Sequence, residues 1–230
     1  MQARLYLYQK QWDKAIAAST EVISAVPLAT RAQFAGIWTD ANSSDIVWKL
    51  KQENGSDAIG SVYRNTQGLV YFAAAIKLIN SYDQANDIRF ASYIQIDENR
   101  SVTQTKNLVV KYVGGNSALL NIADLKLYRV AEAYFIRAEA YAEKAQLAQA
   151  TADINTVRRN RIAGYIDRIN YVNRDEALDD IYYERFKELA FEGHRYFDLR
   201  RQGRTIDRNP IAIDDNSGGK LILNATQKEY

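Results

Sequence analysis

Apolar residues recur at steps of three and four along residues 131–158, and this spacing predicts two antiparallel helices. Ala138 and Ala150 are small residues at positions where the two helices must approach closely. Tyr134 and Tyr141 are large enough to fill the space beside them. The alternation of small and large side chains therefore predicts a helical hairpin.

A shortened copy of this pattern opens the chain. Four of its residues have the same spacing as Ala138, Tyr141, Ala150 and Val157, and they are Ala3, Tyr6, Ala15 and Val22. Pro27 follows at the offset of the proline that usually closes the repeat. Both copies match the 34-residue tetratricopeptide pattern of helix pairs, apart from Arg137, where a leucine is usual. We therefore predict a mainly α fold: a tetratricopeptide-like scaffold of helical hairpins near residues 1–27 and 124–159.

Shorter patterns lie between the hairpins, and residues 52–123 are predicted to be a variable region of long loops with small β insertions. Alternation of apolar and polar residues predicts strands, whereas polar and glycine-rich runs predict loops. The predicted elements are a strand at Asp45–Lys51, a loop at Gln52–Gly68, a helix at Ala73–Tyr82, strands at Ala91–Ile96 and Asn107–Val113, and a helix that begins near Asp124.

A further helix is predicted to begin at Asn173, because Glu176 follows three residues later as in a capping box. The tail from Asn209 is polar and rich in turn residues. Residues 214–216 lack the residue order of a calcium-binding loop, so a turn is expected there.

Composition excludes several classes of function. The chain has 230 residues and a net charge of +2, which gives no electrostatic footprint for nucleic acid. It has no Cys and a single His, so it cannot build the common zinc sites, and we expect neither a metal nor a cofactor. No apolar run approaches the roughly 20 residues of a membrane-spanning helix.

Aromatic residues are abundant, with 16 Tyr, 7 Phe and 3 Trp. Their flat apolar faces, with a polar tip in Tyr and Trp, suit the stacking and hydrogen bonding of sugars. The predicted glycan-binding residues lie in and beside the polar loop, and they are Tyr63, Asn65, Gln67, Tyr71 and Phe72. The alternative for each ring is that it covers the core.

A charged motif towards the end of the chain carries a family resemblance. Residues 184–201 read ERFKELAFEGHRYFDLRR, which resembles the motif E-R-x-x-E-L-x-F-E-G-x-R-x-x-D-L-R-R of the SusD/RagB family of outer-membrane nutrient-uptake lipoproteins. Other stretches are similar to that family in the same order, namely Ala3–Ile23, Phe34–Leu50, Leu78–Arg89 and Tyr128–Ala140. The resemblance therefore spans most of the chain.

The chain departs from the family pattern at both ends. The lipid-carrying N-terminal Cys and first helices of the family are missing, and so is its closing L-P-I-P stretch. We therefore interpret residues 1–230 as a fragment of a single SusD-like domain, the C-terminal portion of a longer protein.

The resemblance implies a non-catalytic protein on the outer face of the outer membrane, attached by a lipid anchor that this sequence lacks. Such a protein would bind glycans, or in some members peptides, and pass them to a SusC-like TonB-dependent transporter. Nucleic acid is not an expected partner. The variable loops would carry the ligand site, so the sequence does not name the nutrient.

Two other functions compete with glycan capture. One is a tetratricopeptide-type scaffold that grips a peptide on a face lined by Asn, Lys and Arg. The other is a glycoside hydrolase, in which the paired carboxylates would be Glu139 with Glu143 or Glu188 with Glu192. We expect these carboxylates instead to lie on solvated helix faces, matched by Arg or Lys. We expect His194 to fix a helix end.

Overall fold

Both predicted hairpins form, and they pack against each other. The computed structural model describes residues 1–53, 58–115 and 120–205. The helices of these residues are α1 (Gln2–Tyr8), α2 (Trp12–Ala25), α3 (Arg31–Trp38), α4 (Gly60–Tyr63), α5 (Ile76–Ile79), α6 (Ile88–Tyr93), α7 (Val130–Glu143), α8 (Leu147–Arg159), α9 (Arg174–Glu188) and α10 (His194–Arg201). The tail from Asn209, with residues 214–216, and residues 54–57 of the predicted loop lie outside the described residues.

Helix α7 lies at the centre of the fold. It contacts α1, α2, α8 and α9, so that most of its residues are buried. Ala138 of α7 and Ala150 of α8 are fully buried in one apolar cluster, and the predicted close approach of these two helices is confirmed. Ile136 of α7 packs in a second cluster with residues of α1 and α2.

Two short antiparallel sheets lie between and beside the hairpins. Strand β1 (Ile46–Leu50) pairs with β4 (Leu125–Arg129), and β2 (Ile94–Ile96) pairs with β3 (Asn107–Val109). The strand predicted at Asp45–Lys51 is confirmed, although its register with β4 is irregular.

The prediction of a helix that begins near Asp124 is wrong, because residues 125–129 form β4 and α7 begins only at Val130. Leucines alternate with polar residues over 125–129, which favours a strand once β1 supplies a partner. Asp124 stabilises this strand pair. Its carboxylate accepts a hydrogen bond from the N–H of Gln52 at 2.9 Å and lies 2.6 Å from Nζ of Lys49.

Three other predicted elements are shorter than expected. The strand predicted at Asn107–Val113 ends at Val109. The strand predicted at Ala91–Ile96 begins only at Ile94, because the preceding residues belong to α6. Asp87 caps that helix by accepting a hydrogen bond from the N–H of Arg89 at 3.1 Å. The helix predicted at Ala73–Tyr82 is reduced to the four residues of α5.

Helix α9 begins as predicted at Asn173. The Oδ1 atom of Asn173 accepts a hydrogen bond from the N–H of Glu176 at 2.9 Å. In return, the Glu176 carboxylate accepts a hydrogen bond from the N–H of Val172 at 2.8 Å. These bonds set the start of the helix that carries the first residues of the charged motif.

We expect Ala150→Leu to lower the free energy of unfolding by about 1–3 kcal/mol, because the larger side chain must force α7 and α8 apart. The matched control is Ala148→Leu, which adds the same atoms to an exposed position of α8 and should change stability by less than about 0.5 kcal/mol. Urea unfolding followed by circular dichroism measures both values. Equal effects of the two substitutions would contradict the tight contact.

Candidate functional site

The predicted glycan-binding residues lie in a short loop whose main chain is closed on itself. Arg64 and Val70 form an isolated antiparallel bridge. The N–H groups of Tyr71 and Phe72 both donate to the carbonyl oxygen of Tyr63, at 2.8 and 3.2 Å. These bonds fix the two ends of the loop independently of any ligand.

The turn of this loop is built around Asn65. Its Oδ1 atom accepts hydrogen bonds from the N–H groups of Gln67 at 3.1 Å and Leu69 at 2.8 Å. Gly68 has a φ of +86°, a left-handed conformation that favours glycine. Its carbonyl oxygen accepts a hydrogen bond from Arg100 at 3.0 Å. The Oδ1 atom of Asn65 therefore serves the turn, and among the described residues its Nδ2 group has no hydrogen-bond partner.

Two of the predicted rings face solvent. Tyr71 is 53% exposed and Phe72 is 62% exposed, and Gln67 of the same loop is also exposed. Within the part of the chain that the structure describes, the hydroxyl of Tyr71 has no hydrogen-bond partner. The loop thus offers two rings and one amide to a ligand.

Tyr63 lies on the side of the loop that faces the core. Its hydroxyl donates to the carbonyl oxygen of Phe191 at 3.2 Å, and its ring stacks on Tyr112 with 6.0 Å between centroids. Burial raises the pKa of Tyr63 to about 12. The exposed edge of Tyr63 lines a cleft of about 500 Å³, together with Phe191 and Phe197. The five predicted residues thus lie together along one loop. Tyr63 and Asn65 support the loop, whereas Gln67, Tyr71 and Phe72 are exposed to solvent.

An apolar cleft of about 360 Å³ begins one residue beyond Phe72. Its lining includes Ala73, Phe186, Leu189 and Tyr196. The sequence did not single out this cleft, because its walls come from segments that are far apart in the chain. The apolar positions of α9 also read as ordinary core positions.

A third cleft, of about 600 Å³ and lined by charged residues, lies where α1, α7, α9 and α10 meet. Its arginines are paired with carboxylates of the same cleft. Arg174 donates to Glu143 at 2.8 Å, and Arg201 donates to Glu139 at 2.7 Å. Guanidinium groups that are already paired cannot clamp the carboxylates of a peptide without breaking these bonds, which weighs against the peptide scaffold.

Most of the charged motif lies within buried ion pairs. We call the buried charges around Glu188 the central ion cluster, which comprises Asp45, Asp87, Arg89, Lys111, Arg129, Arg161, Glu184, Glu188 and Glu192. These residues come from distant parts of the sequence and meet beside α9. The motif is therefore a set of charges that joins elements of the fold.

Glu188 is the hub of this cluster. Its carboxylate accepts hydrogen bonds from Arg129 at 3.0 Å, from Arg161 at 3.1 Å and from Arg89 at 3.2 Å. Burial alone would raise the pKa of Glu188, but Arg161, Arg129 and Arg89 together hold it well below its usual value. The carboxylate is therefore ionised at neutral pH.

The expected placement of the paired carboxylates on solvated helix faces is wrong for Glu139, whose side chain is buried against Arg201. It is also wrong for the pair Glu188 and Glu192, whose side chains are both buried. Burial favours a higher pKa for Glu192, but Arg129 and Lys111 lower it to about 2. A glycosidase needs one carboxylic acid with a raised pKa to protonate the leaving group. This pair, held ionised by its cations, does not provide one.

His194 fixes a helix end, as predicted. It begins α10, and its Nδ1 atom lies 3.3 Å from Arg185 and 3.7 Å from Glu132. Burial lowers the pKa of His194. These contacts occupy the imidazole with structural partners.

Among residues 1–53, 58–115 and 120–205, no group of three His, Cys, Asp or Glu side chains is placed to hold a metal ion. No helix in these ranges has the length and apolar character that a membrane crossing requires.

We expect the free energy of unfolding to fall as the pH falls from about 5 towards 2. The carboxyl of Glu192 has a pKa of about 2 in the fold against 4.5 in the unfolded chain. Its stabilising effect is therefore complete above pH 4.5 and is lost as the pH falls towards the folded value. At about 1.4 kcal/mol per pKa unit, Glu192 contributes about 3 kcal/mol to this loss.

Urea unfolding at pH values of about 7, 5 and 3 measures this dependence. Glu192→Gln should show a shallower loss of stability on acidification than the unsubstituted protein. The control is Glu98→Gln, which alters an exposed ion pair with Lys106 and should leave the slope unchanged. The same slope in all three proteins would contradict the role of Glu192.

The chain was compared with known families and proteins. The sequence model of the SusD family matches residues 61–220. No curated protein has significant sequence similarity to the chain.

Solved structures share the fold. A SusD superfamily protein from Bacteroides thetaiotaomicron has a TM-score of 0.77 at 22% identity, with 90% of this chain and 49% of that chain covered. A SusD-like carbohydrate binding protein from Bacteroides vulgatus has a TM-score of 0.72 at 23% identity, with 90% and 45% covered. A SusD superfamily protein from the same organism has a TM-score of 0.72 at 25% identity, with 90% and 48% covered.

This chain spans about half the length of each of these structures. The predicted fold, mainly helical with small two-stranded sheets, is confirmed by these matches.

Proposed function

The chain belongs to the SusD family, as its charged motif predicts, and on that premise we propose that it captures glycans for import. The SusD family is one of non-catalytic binding proteins. The proposed ligand is an oligosaccharide, which the protein holds by stacking and hydrogen bonding without breaking bonds.

One observation carries this proposal. Tyr71 and Phe72 are each more than half exposed on a loop whose ends are tied by main-chain hydrogen bonds. Apolar ring faces can stack on the C–H faces of sugar rings. Because the loop is already ordered, little conformational entropy is lost when a ligand binds.

The polar part of the proposed site comes from the same loop. We propose that the carboxamide of Gln67, the Nδ2 group of Asn65 and the hydroxyl of Tyr71 bond sugar hydroxyls. Tyr63 supports the loop from the core side through its bond to Phe191. We propose that Tyr63 contacts the ligand, if at all, only through the edge that lines the neighbouring cleft.

We also propose where the protein works and with what partner. Proteins of the SusD family are lipoproteins of the outer-membrane surface. We propose that the complete protein is lipid-anchored there and delivers its glycan to a SusC-like TonB-dependent transporter. The loop around Tyr71 would then hold the glycan at the cell surface before transfer.

We expect the double substitution Tyr71→Ala with Phe72→Ala to weaken glycan binding by about tenfold or more, because both stacking surfaces are removed. A glycan array with the complete protein identifies the oligosaccharide, and calorimetry then measures the affinity. The matched control is Tyr183→Ala, which removes a ring of similar exposure from α9 and should leave binding unchanged.

Undiminished affinity in the double variant would place the glycan elsewhere on the protein. Binding to peptides in calorimetry, with no binding to any glycan of the array, would exclude a glycan ligand. Measurable hydrolysis of any bound oligosaccharide would contradict a binding role without catalysis.

A further inference from the structure

A buried lysine is bonded to the turn that supports the loop of the proposed site. We call residues 63–72 the glycan loop. Lys111 follows β3, and its side chain is fully buried. Its Nζ atom lies over two aromatic rings, 4.1 Å from the ring centroid of Trp38 and 3.8 Å from that of Tyr93. Both distances are within the range of a cation–π interaction, so the rings favour the charged form of the lysine.

Lys111 clamps the turn between α9 and α10. Its Nζ atom donates hydrogen bonds to the carbonyl oxygen of Ala190 and to Oε1 of Glu192, both at 2.7 Å. Hydrogen bonds from a charged donor are shorter and roughly twice as strong as those between neutral groups. The ammonium group therefore holds the residues on either side of Phe191.

The conformation of this turn depends on such contacts. Phe191 has a φ of +67° and Gly193 has a φ of +80°, both in the left-handed region. For a residue with a side chain this conformation is unfavourable, and it persists where the surrounding structure holds it. Weaker contacts from Lys111 would therefore allow the turn at Phe191 to move.

Hydrogen bonds connect the turn to the two exposed rings. The carbonyl oxygen of Phe191 accepts a hydrogen bond from the hydroxyl of Tyr63 at 3.2 Å. The carbonyl oxygen of Tyr63 in turn accepts hydrogen bonds from the N–H groups of Tyr71 and Phe72. A shift of the turn would thus move Tyr63 and, through its main chain, the residues that carry the rings.

We propose that the ammonium group of Lys111 positions the glycan loop, so that glycan binding weakens when this group loses its proton. The inference rests on the proposed function, because it concerns the regulation of that site. Lys111 is too deeply buried to touch a ligand, and it is therefore a positioning residue that acts through Tyr63. The neutral amine would form weaker hydrogen bonds and lose its attraction to Glu192 and to the two rings.

The groups that face Lys111 set the pH at which the proton leaves. Burial lowers the pKa of Lys111 from 10.5 to about 7. The charge of Arg129 acts in the same direction, whereas the carboxylates of Glu192 and Glu188 oppose it. The ammonium group therefore loses its proton as the pH rises through about 7.

Other titratable groups lie near the same turn. Burial raises the pKa values of Tyr93 and Tyr112 well above 10.0, so both hydroxyls keep their protons near neutral pH. Burial lowers the pKa of His194 from 6.5, so this imidazole titrates at a lower pH than Lys111. On β4, Lys126 is paired with Asp40 at 2.7 Å.

The expected effect on affinity is opposite in sign to the effect of Lys111 on stability. Because the pKa of Lys111 is lower in the fold than in the unfolded chain, the unfolded chain binds the extra proton between about pH 7 and 10.5. The contribution of Lys111 to the free energy of unfolding therefore rises with pH in this range. Weaker glycan binding in the same range would thus not reflect a weaker fold caused by Lys111.

The test is calorimetry with the complete protein and the oligosaccharide that the array identifies. We expect the affinity to fall about fivefold or more as the pH rises from about 6.5 to 9. Tyr63→Phe removes the hydroxyl bonded to Phe191, so this variant should bind more weakly and lose the pH dependence. The matched control is Tyr112→Phe, which removes a hydroxyl bonded at the same distance to the same carbonyl oxygen but outside the glycan loop. This control should keep the pH dependence.

An independent measurement uses the protein without a glycan. The NMR amide resonances of Tyr71 and Phe72 should shift with pH, with a midpoint near 7. Lys111→Met removes the titrating group and should abolish this shift. If that variant does not fold, Tyr63→Phe serves in its place, because loss of the bond to Phe191 should abolish the shift as well.

An affinity that does not change with pH in the unsubstituted protein would overturn the positioning role of Lys111. The same pH dependence in Tyr63→Phe as in the control would also overturn it. If no glycan binds at any pH, the proposed function fails, and the amide resonances alone then decide whether Lys111 positions the loop. A shift that Lys111→Met or Tyr63→Phe abolishes would support that role, and the absence of a shift would overturn it.

Discussion

The fold depends on one buried carboxylate, Glu188, and the three guanidinium groups that surround it. Arg89 comes from α6, Arg129 from the end of β4, and Arg161 from the segment that follows α8. None of these side chains is exposed to solvent by more than 1%. Removing one partner from such a group leaves an uncompensated buried charge, which typically costs about 3–5 kcal/mol. The central ion cluster therefore requires all these elements to be in place at once.

This constraint extends to the proposed site through the turn between α9 and α10. Phe191 in that turn has a φ of +67°, an uncommon conformation for a residue with a side chain. Its carbonyl oxygen accepts hydrogen bonds from the hydroxyls of Tyr63 and Tyr112, both at 3.2 Å. Lys111 of the central ion cluster holds the same turn by donating to the carbonyl oxygen of Ala190 at 2.7 Å. Through this turn, the central ion cluster thus supports the loop that carries the exposed rings of Tyr71 and Phe72.

The spacing of apolar residues predicted the elements that depend only on residues close together in the sequence. The hairpins follow from small and large residues at helical spacing, and the start of α9 follows from Asn173 and Glu176. The pattern failed at residues 125–129, where strand β4 forms because β1 is present as a partner. Because β1 lies far back in the chain, the residues near 125–129 do not indicate that this partner is present.

The candidate site shows the same division. The exposure of Phe72 agrees with its place beside a polar loop. The support of Tyr63 by Phe191 could not be predicted in this way, because the two residues are 128 positions apart. The burial of Glu188 was equally invisible, because a helical run of Glu, Arg and Lys reads as a solvated face. The exposure of Ile166 was not foreseen either, since apolar residues in a sequence are expected first in the core.

A double-mutant cycle of Glu188→Gln with Arg129→Met measures how strongly the ion pairs around Glu188 hold the elements of the fold together. Urea unfolding would give the free energy of unfolding of the two single variants and the double variant. We predict that each single substitution lowers it by about 3 kcal/mol or more. The double variant should lose less than the sum, with a coupling energy of at least about 1 kcal/mol. If each single substitution lowered the free energy of unfolding by less than about 0.5 kcal/mol, and the two losses simply added, the ion pairs around Glu188 would not hold the fold together.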